Sequence, residues 1–277
     1  MEYAILAAVG LLTGVLGGML GVGGSSIMLP AMVVILGTHL NGLEQTHQYM
    51  AVAMIVNFLL SVPSVLAHWK NKAIWPSFVK YLMVGGLCGV LVGVWASQFV
   101  NGQYLRWFLG FFFVYVAAEN LLRAWRGSKS NRASRHHVEK TSWLPKLSLG
   151  TGVGLFAGMT GLGGGALAVP AQQYIFNIPI RNAIANSSAL IASMAWLGAI
   201  TKNVQLVHHP EMGTVVRSLI IAAFLAPPAM IGSYAGGHLT HSLPLRFVRA
   251  AFGLMILAAT YKMFEGFLPA LRAMVGA

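Results

Sequence analysis

Long apolar runs separated by short charged segments dominate this chain. A run of roughly 20 residues without charge is long enough to cross the hydrocarbon core of a bilayer as one helix. We therefore predict an all-α polytopic membrane protein with several spanning helices. The runs without Asp, Glu, Lys or Arg are residues 3–43, 45–69, 81–105, 107–118, 147–180, 182–201, 218–245 and 250–261.

Two of these runs are too long for a single crossing. As continuous helices, residues 3–43 would extend about 60 Å and residues 147–180 about 50 Å at 1.5 Å per residue, and the hydrocarbon core measures about 30 Å. Each run therefore folds back as a hairpin or continues through a broken helix into a loop. Because bare backbone is costly in lipid, we expect each break to face protein or a water-filled cavity. Each half then holds four apolar regions, or five helical pieces if the long run is split.

The middle of each long run contains the same glycine-rich segment. Residues 17–31 read GGMLGVGGSSIMLPA, and residues 157–171 read AGMTGLGGGALAVPA, with seven of the 15 aligned positions identical. A matching pair of hydrophobic segments interrupted by Gly and Pro, one in each half, is the best sequence indication of a transporter binding site. The repeat therefore predicts transport and two homologous halves.

A basic segment separates the two halves, and Lys and Arg are enriched in cytoplasmic loops. We predict a first transmembrane repeat at residues 1–126, a basic cytoplasmic linker at 127–145 and a second transmembrane repeat at 146–277. Two topologies stay open. If each glycine segment crosses the membrane once, the repeats are parallel; if it forms a hairpin, they are inverted. The lengths of the runs favour the hairpin and inverted repeats.

Composition supports a membrane location and narrows the chemistry. The chain is 57% hydrophobic and 9% charged, whereas soluble domains are about one quarter charged. Its net charge of +12 comes from basic residues between apolar segments, where they mark cytoplasmic loops or anionic headgroups. We expect membrane lipids and a small anion as partners, no nucleic acid and no cofactor, and a homodimer stays open. We expect no metal site, because Cys88 is the one cysteine and the His pairs lack metal-site spacing.

The glycine segments suit an anion for a physical reason. Glycine permits positive φ and lets a ligand approach the main chain closely, and a helix that begins after a break presents free N–H groups and a partial positive charge. Such a site needs no buried lysine, and we expect no buried cation. Close helix packing by small residues and interhelical hydrogen bonds are the alternatives. The candidate substrate-binding residues are Gly23, Gly24, Ser25, Ser26, Asn57, Gly163, Gly164, Gly165, Gln172, Asn186, Ser187 and Ser188.

The two segments resemble those of the TauE/SafE family. The resemblance rests on two apolar segments ending Gly-Val/Leu-Gly-Gly-(Gly/Ser), each with a Pro six residues later and a following helix that opens with Ala and polar residues. It covers residues 3–126 and 146–266 and implies a membrane permease for sulfite, organosulfonates and related small anions. The first copy has Ser25 where the family usually has a third Gly, and its second helix lacks the usual hydroxyl pair. The resemblance to the family's site is therefore stronger in the second half.

We predict a multi-pass transporter of the cell (inner) membrane, an exporter or permease for small anions such as sulfite, organosulfonates or carboxylates, and not an enzyme. A passive anion channel is the first alternative and a membrane-embedded enzyme the second. Residues 161–166 match a dinucleotide-binding pattern, but an apolar helix precedes them instead of a strand, and no acid follows about 20 residues later. Alternating access would move one half against the other around the paired glycine breaks.

Overall fold

The computed structural model of the chain describes residues 2–40, 43–126, 138, 140–240, 242, 244–265 and 267. Within these residues, ten α-helices form two sets of five. The first set is α1 (Glu2–Leu20), α2 (Ser25–Leu36), α3 (Thr46–Lys70), α4 (Pro76–Ser97) and α5 (Gly102–Arg126). The second set is α6 (Trp143–Thr160), α7 (Gly165–Phe176), α8 (Ile180–His208), α9 (Val215–Leu239) and α10 (Leu245–Thr260). Two-residue strands, β1 (His39–Leu40) and β2 (Leu43–Glu44), pair between α2 and α3.

Among the described residues, six helical segments are long and apolar enough to cross a membrane, which confirms the prediction of an all-α polytopic membrane protein. Two further apolar helices, Ala4–Leu20 and Ser25–Leu36, are shorter and flank the first glycine break. The six segments are Thr46–Lys70, Pro76–Ser97, Gly102–Trp125, Ile180–His208, Pro210–Leu239 and Arg246–Phe264.

The ends of the helices differ from the ends of the charge-free runs. The run at 81–105 covers both the end of α4 and the start of α5, because Lys80 lies inside α4 and Arg106 inside α5. Pro76 begins α4 at a position where its fixed φ suits the first turn and its missing N–H is not needed. Arg106 is tolerated inside a helix bundle because its guanidinium donates to the Glu265 carbonyl oxygen (3.1 Å).

Glycines in the left-handed backbone region make both helix breaks. Residues 21–24 separate α1 from α2, and residues 161–164 separate α6 from α7. Positive φ angles occur at Gly21 (+64°) and Gly23 (+78°) in the first break, and at three glycines of the second, where φ is +68° to +78°. A side chain at such an angle is strained, so these turns require glycine.

The first helix of each half packs against a helix of the other half. α1 packs along α9 in the same direction, with Gly10 against Leu225 and Gly18 against Ser233. α6 packs along α4 in the same direction, as residues 150, 154 and 158 meet residues 82, 86 and 90 in order. A Cβ at any of these glycines of α1 or α6 would overlap a facing carbonyl oxygen, so their small size permits the close approach.

The helix directions show that the first break is a hairpin. α3 runs parallel to α9, because Gln48 bonds to Thr214 where both helices begin and Ala67 contacts Gly237 where both end. Since α1 also runs parallel to α9, α2 has to return between α1 and α3. The Gly37 carbonyl oxygen, directly after α2, accepts a hydrogen bond from the Tyr49 hydroxyl near the start of α3 (2.8 Å). The end of α2 therefore lies beside the start of α3.

The second break is also a hairpin, in the opposite sense. α7 ends at Phe176, whose ring packs edge-on against Phe78 near the start of α4 (5.1 Å between centroids). Because α6 starts at the same end of the bundle as α4, α7 returns to the end from which α6 came. This end, where α5 ends at Arg126 and α6 begins at Trp143, is here named the linker end, and the other is the opposite end.

Helices at matching places in the two halves therefore point in opposite directions. α1, α3 and α5 run toward the linker end, whereas α6, α8 and α10 run away from it. α10 is antiparallel to α5, since Gly253 contacts Ala117 and Phe264 contacts Gly110. The geometry is that of an inverted arrangement with five helices per half, and the homology of the halves stays a prediction from the sequence.

The buried apolar side chains form two clusters that meet at the breaks. The first cluster combines α1, α2, α3 and α5 with α9 and α10, and the second combines α4 with α6, α7 and α8. Leu162, within the second break, and Ala166, just after it, pack in the first cluster. The glycine breaks therefore lie at the boundary between two packed units.

Candidate functional site

The two glycine breaks meet inside the molecule. Gly165, the first residue of α7, lies against Gly21 and Val22 of the first break. Gly163 lies against Asn57 of α3, where a Cβ would be 2.8 Å from the Asn57 Nδ2. Gly23 lies on the Oδ1 side of the same Asn57 side chain. The two matching glycine-rich segments therefore meet in one buried place.

Asn57 joins the two breaks through both ends of its amide. Its Oδ1 accepts from the Ser25 backbone N–H (3.3 Å), one of the amides that a helix leaves unpaired at its N-terminus. Its Nδ2 donates to the Gly161 carbonyl oxygen (3.4 Å). The Ser25 hydroxyl adds a second bridge by donating to the Leu162 carbonyl oxygen (2.7 Å). Asn57 and Ser25 are fully buried, so these bonds form away from solvent.

Ser26, the second residue of α2, is fully buried, and its hydroxyl has no hydrogen-bond partner among the described residues. Gly24 and Gly164 are the N-cap residues of α2 and α7, and neither provides a side-chain cap for its own helix. A buried hydroxyl left unbonded costs about 1–3 kcal/mol. The start of α2 therefore presents a polar group that is available to a ligand.

Three of the other predicted site residues, Gln172, Asn186 and Ser187, form a separate network. The Gln172 Nε2 donates to the Ser187 hydroxyl (2.8 Å), and the Asn186 Nδ2 donates to the Gln172 Oε1 (3.2 Å). The Asn186 Oδ1 accepts from the Trp75 backbone N–H (2.9 Å), which ties α8 to the start of α4. Ser188 donates to a carbonyl of its own helix (3.1 Å). Each of these residues has a protein partner, as interhelical hydrogen bonding requires.

A cavity of about 40 Å³ borders both breaks on the side of the linker end. Leu20 precedes the first break, Val22 lies within it, and Ala166 follows the second break. A volume of this size admits a few water molecules. The lining residues are Leu20, Val22, Tyr115, Val116, Glu119, Asn120, Arg123, Ala166, Val169, Pro170, Ile180, Ile184 and Arg249.

Two arginines bring positive charge to this cavity. Arg123 pairs with Glu119 on α5 (2.6 Å between Nε and Oε1), and Glu119 also accepts from the Tyr174 hydroxyl (3.1 Å). Arg249 of α10 is 6% exposed and makes no hydrogen bond or ion pair with the described residues. The side of the cavity away from the breaks therefore carries a guanidinium that is available to an anion.

The expectation that no cation is buried is wrong. Arg106, Lys146 and Lys202 are each 1% exposed, and Arg249 is nearly as buried. The charge-free runs led to this error, because α5, α6, α8 and α10 extend beyond those runs and carry their flanking charges into the bundle. The hydrophobic pattern contains no signal for the direction in which such a flanking side chain points.

Oppositely directed halves whose broken helices meet at the centre of a helical membrane protein are typical of secondary transporters. The chain belongs to the sulfite exporter TauE/SafE family, whose sequence model matches residues 6–263. The resemblance found in the sequence is therefore confirmed over nearly the whole chain.

Similar proteins are named as membrane transporters. The chain is 23% identical to "Probable membrane transporter protein YunE" of Bacillus subtilis, over 96% of this chain and 99% of the relative. It is 26% identical to "Probable membrane transporter protein YjnA" of the same organism, over 89% and 94%. It is also 26% identical to "Probable membrane transporter protein MamO" of Magnetospirillum gryphiswaldense, over 93% of this chain, but it spans only 44% of that longer relative. No solved structure matches the chain significantly.

Proposed function

We propose that this chain is a secondary transporter of small oxyanions, such as sulfite, organosulfonates or carboxylates, with its substrate site at the paired glycine breaks. The observation that carries the proposal is the buried, unbonded hydroxyl of Ser26 at a place where two helix N-termini converge. Each N-terminus is equivalent to roughly half a positive charge. Together they favour an anion that accepts hydrogen bonds from a hydroxyl and from backbone amides.

Asn57 is the residue we expect to position this site. Its amide holds the start of α2 against the second break, and the Ser25 hydroxyl holds the same contact from the other side. A substrate that binds there would compete with these hydrogen bonds for donors. Exchange of protein bonds for substrate bonds would then couple binding to a change in the contact between the halves.

The cavity beside the breaks supports access from the linker end. Arg249 lines that cavity and has no partner among the described residues, so it would attract an anion toward the breaks. We therefore propose that this conformation is nearly closed, with its remaining access toward the linker end. Alternating access would follow from movement of the two core clusters against each other at the breaks.

The distribution of basic residues supports a cytoplasmic linker end in the cell (inner) membrane, by the positive-inside rule. On the opposite end, Arg106, Lys202, Arg217 and Lys262 are the described basic residues. The described basic residues toward the linker end are Lys70, Lys72, Lys80, Arg123, Arg126, Lys140, Lys146, Arg181, Arg246 and Arg249. Cysteines introduced at Lys140 and at Glu211, with Cys88 replaced by Ser, should react with an impermeant maleimide from opposite sides of the membrane.

Uptake by purified protein in liposomes tests the proposal. Sulfite, taurine, thiosulfate and acetate form the substrate panel, and empty liposomes are the control. We expect saturable uptake of at least one of them and counterflow against a preloaded anion. Ohmic current without saturation would assign a channel instead. Failure of every anion to be transported or to stabilise the purified protein against heat would overturn the proposal.

A further inference from the structure

A second group of polar residues lies inside the bundle toward the opposite end, and it centres on a lysine. Lys202 of α8 is 1% exposed, and its ammonium donates to the Ser97 hydroxyl at the end of α4 (2.6 Å). No described carboxylate lies within ion-pair distance of it. Lysine is almost never fully buried without a charged partner, because removing an ammonium from water is costly.

Two further polar atoms nearby have no partner among the described residues. The Gln205 Nε2 lies one turn beyond Lys202 on the same face of α8 and is buried. His47, at the start of α3, uses its Nε2 for the Val100 carbonyl oxygen (3.0 Å), so the Nε2 carries the hydrogen and the Nδ1 is left unbonded. A neutral His47 accepts at this atom, and a protonated one donates.

Two cavities border the outer members of this group, and Gln98, next to Ser97, lines both. The cavity that contains His47 has a volume of about 210 Å³, and the one that contains Gln205 about 220 Å³. The charged groups at their rims are Glu211, which pairs with His209 (3.0 Å), and His208. Because Glu211 is largely exposed and already paired, it does not neutralise Lys202.

We propose that this group is a second anion site, which takes a small oxyanion between the Lys202 ammonium and the Gln205 amide. The ammonium offers charge, and the amide offers two N–H donors that a tetrahedral or planar oxyanion accepts. The cavity lined by Gln205 gives an anion access to this amide from the opposite end, and Lys202 lies one turn deeper on the same helix. This site goes beyond the proposed function, since none of its residues touches the glycine breaks.

The test is binding of sodium sulfite to the purified protein in a neutral detergent at constant ionic strength, followed by calorimetry and thermal unfolding. Lys202→Met should weaken sulfite binding at this site at least tenfold and raise the melting temperature without sulfite, because it removes an unpaired buried charge. Lys70→Met is the matched control: Lys70 lies on the third helix of the first set, as Lys202 lies on the third of the second set, but it is exposed and its ammonium bonds only to the Tyr234 hydroxyl. It should leave both quantities unchanged.

Unchanged sulfite affinity in Lys202→Met would overturn the proposal. A lower melting temperature in Lys202→Met, with sulfite stabilisation retained, would also overturn it and assign Lys202 a purely structural role. If Lys202→Met does not fold, Gln205→Leu replaces it and should weaken sulfite binding several-fold. An unchanged sulfite affinity in Gln205→Leu would likewise overturn the proposal.

Two further experiments distinguish anion binding at this site from binding at the glycine breaks and from binding of lipid headgroups. Asn57→Leu should retain the sulfite binding that depends on Lys202; loss of all binding in Asn57→Leu would refute this site and spare the proposed function. Phosphatidylglycerol added to the detergent should not displace sulfite. Displacement would assign Lys202 to a lipid headgroup and refute the site for free anions.

Discussion

Gly165 lies so close to Gly21 that a Cβ at position 165 would overlap the carbonyl oxygen of residue 21. The two residues belong to different halves of the chain, and each sits at a helix break. A change in the backbone of one break must therefore be accommodated by the other. This contact gives a physical basis for coupled movement at the two halves of the site.

Asn57→Leu should abolish anion uptake, because leucine of similar size removes both hydrogen bonds that hold the breaks together. We expect a loss of stability of about 1–3 kcal/mol from the unpaired buried groups. Asn71→Leu is the matched control, since the Asn71 Nδ2 bonds only to a carbonyl of its own helix (2.8 Å). Uptake in proteoliposomes at wild-type rate by Asn57→Leu would contradict the assigned position of the site.

Two neighbouring serines should behave in opposite ways. Ser25→Ala breaks the bond to the Leu162 carbonyl oxygen and should lower the unfolding free energy by about 1 kcal/mol. Ser26→Ala removes a hydroxyl that has no partner, so stability should stay equal or rise, whereas KM for uptake should increase several-fold. Thermal unfolding and uptake kinetics separate the two. A destabilised Ser26→Ala with unchanged KM would show that the hydroxyl is structural.

Arg249→Met should raise KM for anion entry from the linker end about tenfold, equivalent to about 1.4 kcal/mol, because the cavity loses its unpaired guanidinium. Arg249→Lys should retain part of the affinity. Arg246→Met on the first turn of the same helix is the control, since Arg246 is exposed and stacks only on the neighbouring Phe247. An equal effect of both methionine variants would indicate a general surface-charge effect instead.

Gly154→Ala should destabilise the protein by about 1–3 kcal/mol, because its Cβ would overlap the carbonyl oxygen of Gly86 on α4. Gly152→Ala, two residues earlier on α6, meets no atom within 4 Å. It should be neutral or stabilise by up to about 1 kcal/mol through helix propensity. Melting temperatures in detergent measure the difference, and equal values for the two variants would disprove the tight α4–α6 packing.

The broken helices were predictable because their signal is local. A charge-free run that is longer than the bilayer is thick, with a glycine cluster in its middle, can adopt few backbone conformations in a membrane. The five helical pieces per half and both breaks follow from that constraint. The basic linker and the binding site itself are still predictions, supported by charge distribution and by the convergence at Asn57.

The pairing of polar residues was not predictable, because it depends on contacts between distant segments. Asn57 and Ser25 look no different in sequence from Asn186 and Ser187, yet the first pair bridges the breaks and the second pair lies in separate bonds with Gln172 and Trp75. Lys70 and Lys202 lie on the third helix of their respective sets, yet the first is exposed and the second is buried. Burial was decided by the neighbouring helices.

The packing of α1 against α9 and of α6 against α4, each across the two halves, has a consequence for biosynthesis. α1 finds its partner surface on α9, roughly 200 residues later in the chain, and ribosomes add roughly 5–20 residues per second. During that interval, on the order of 10–40 s, the glycine face of α1 has only lipid or an insertion factor as a neighbour. α6 has no such delay, because α4 is already in the membrane when α6 arrives. Membrane insertion of this protein is therefore expected to depend more on assistance for its first helix than for its sixth.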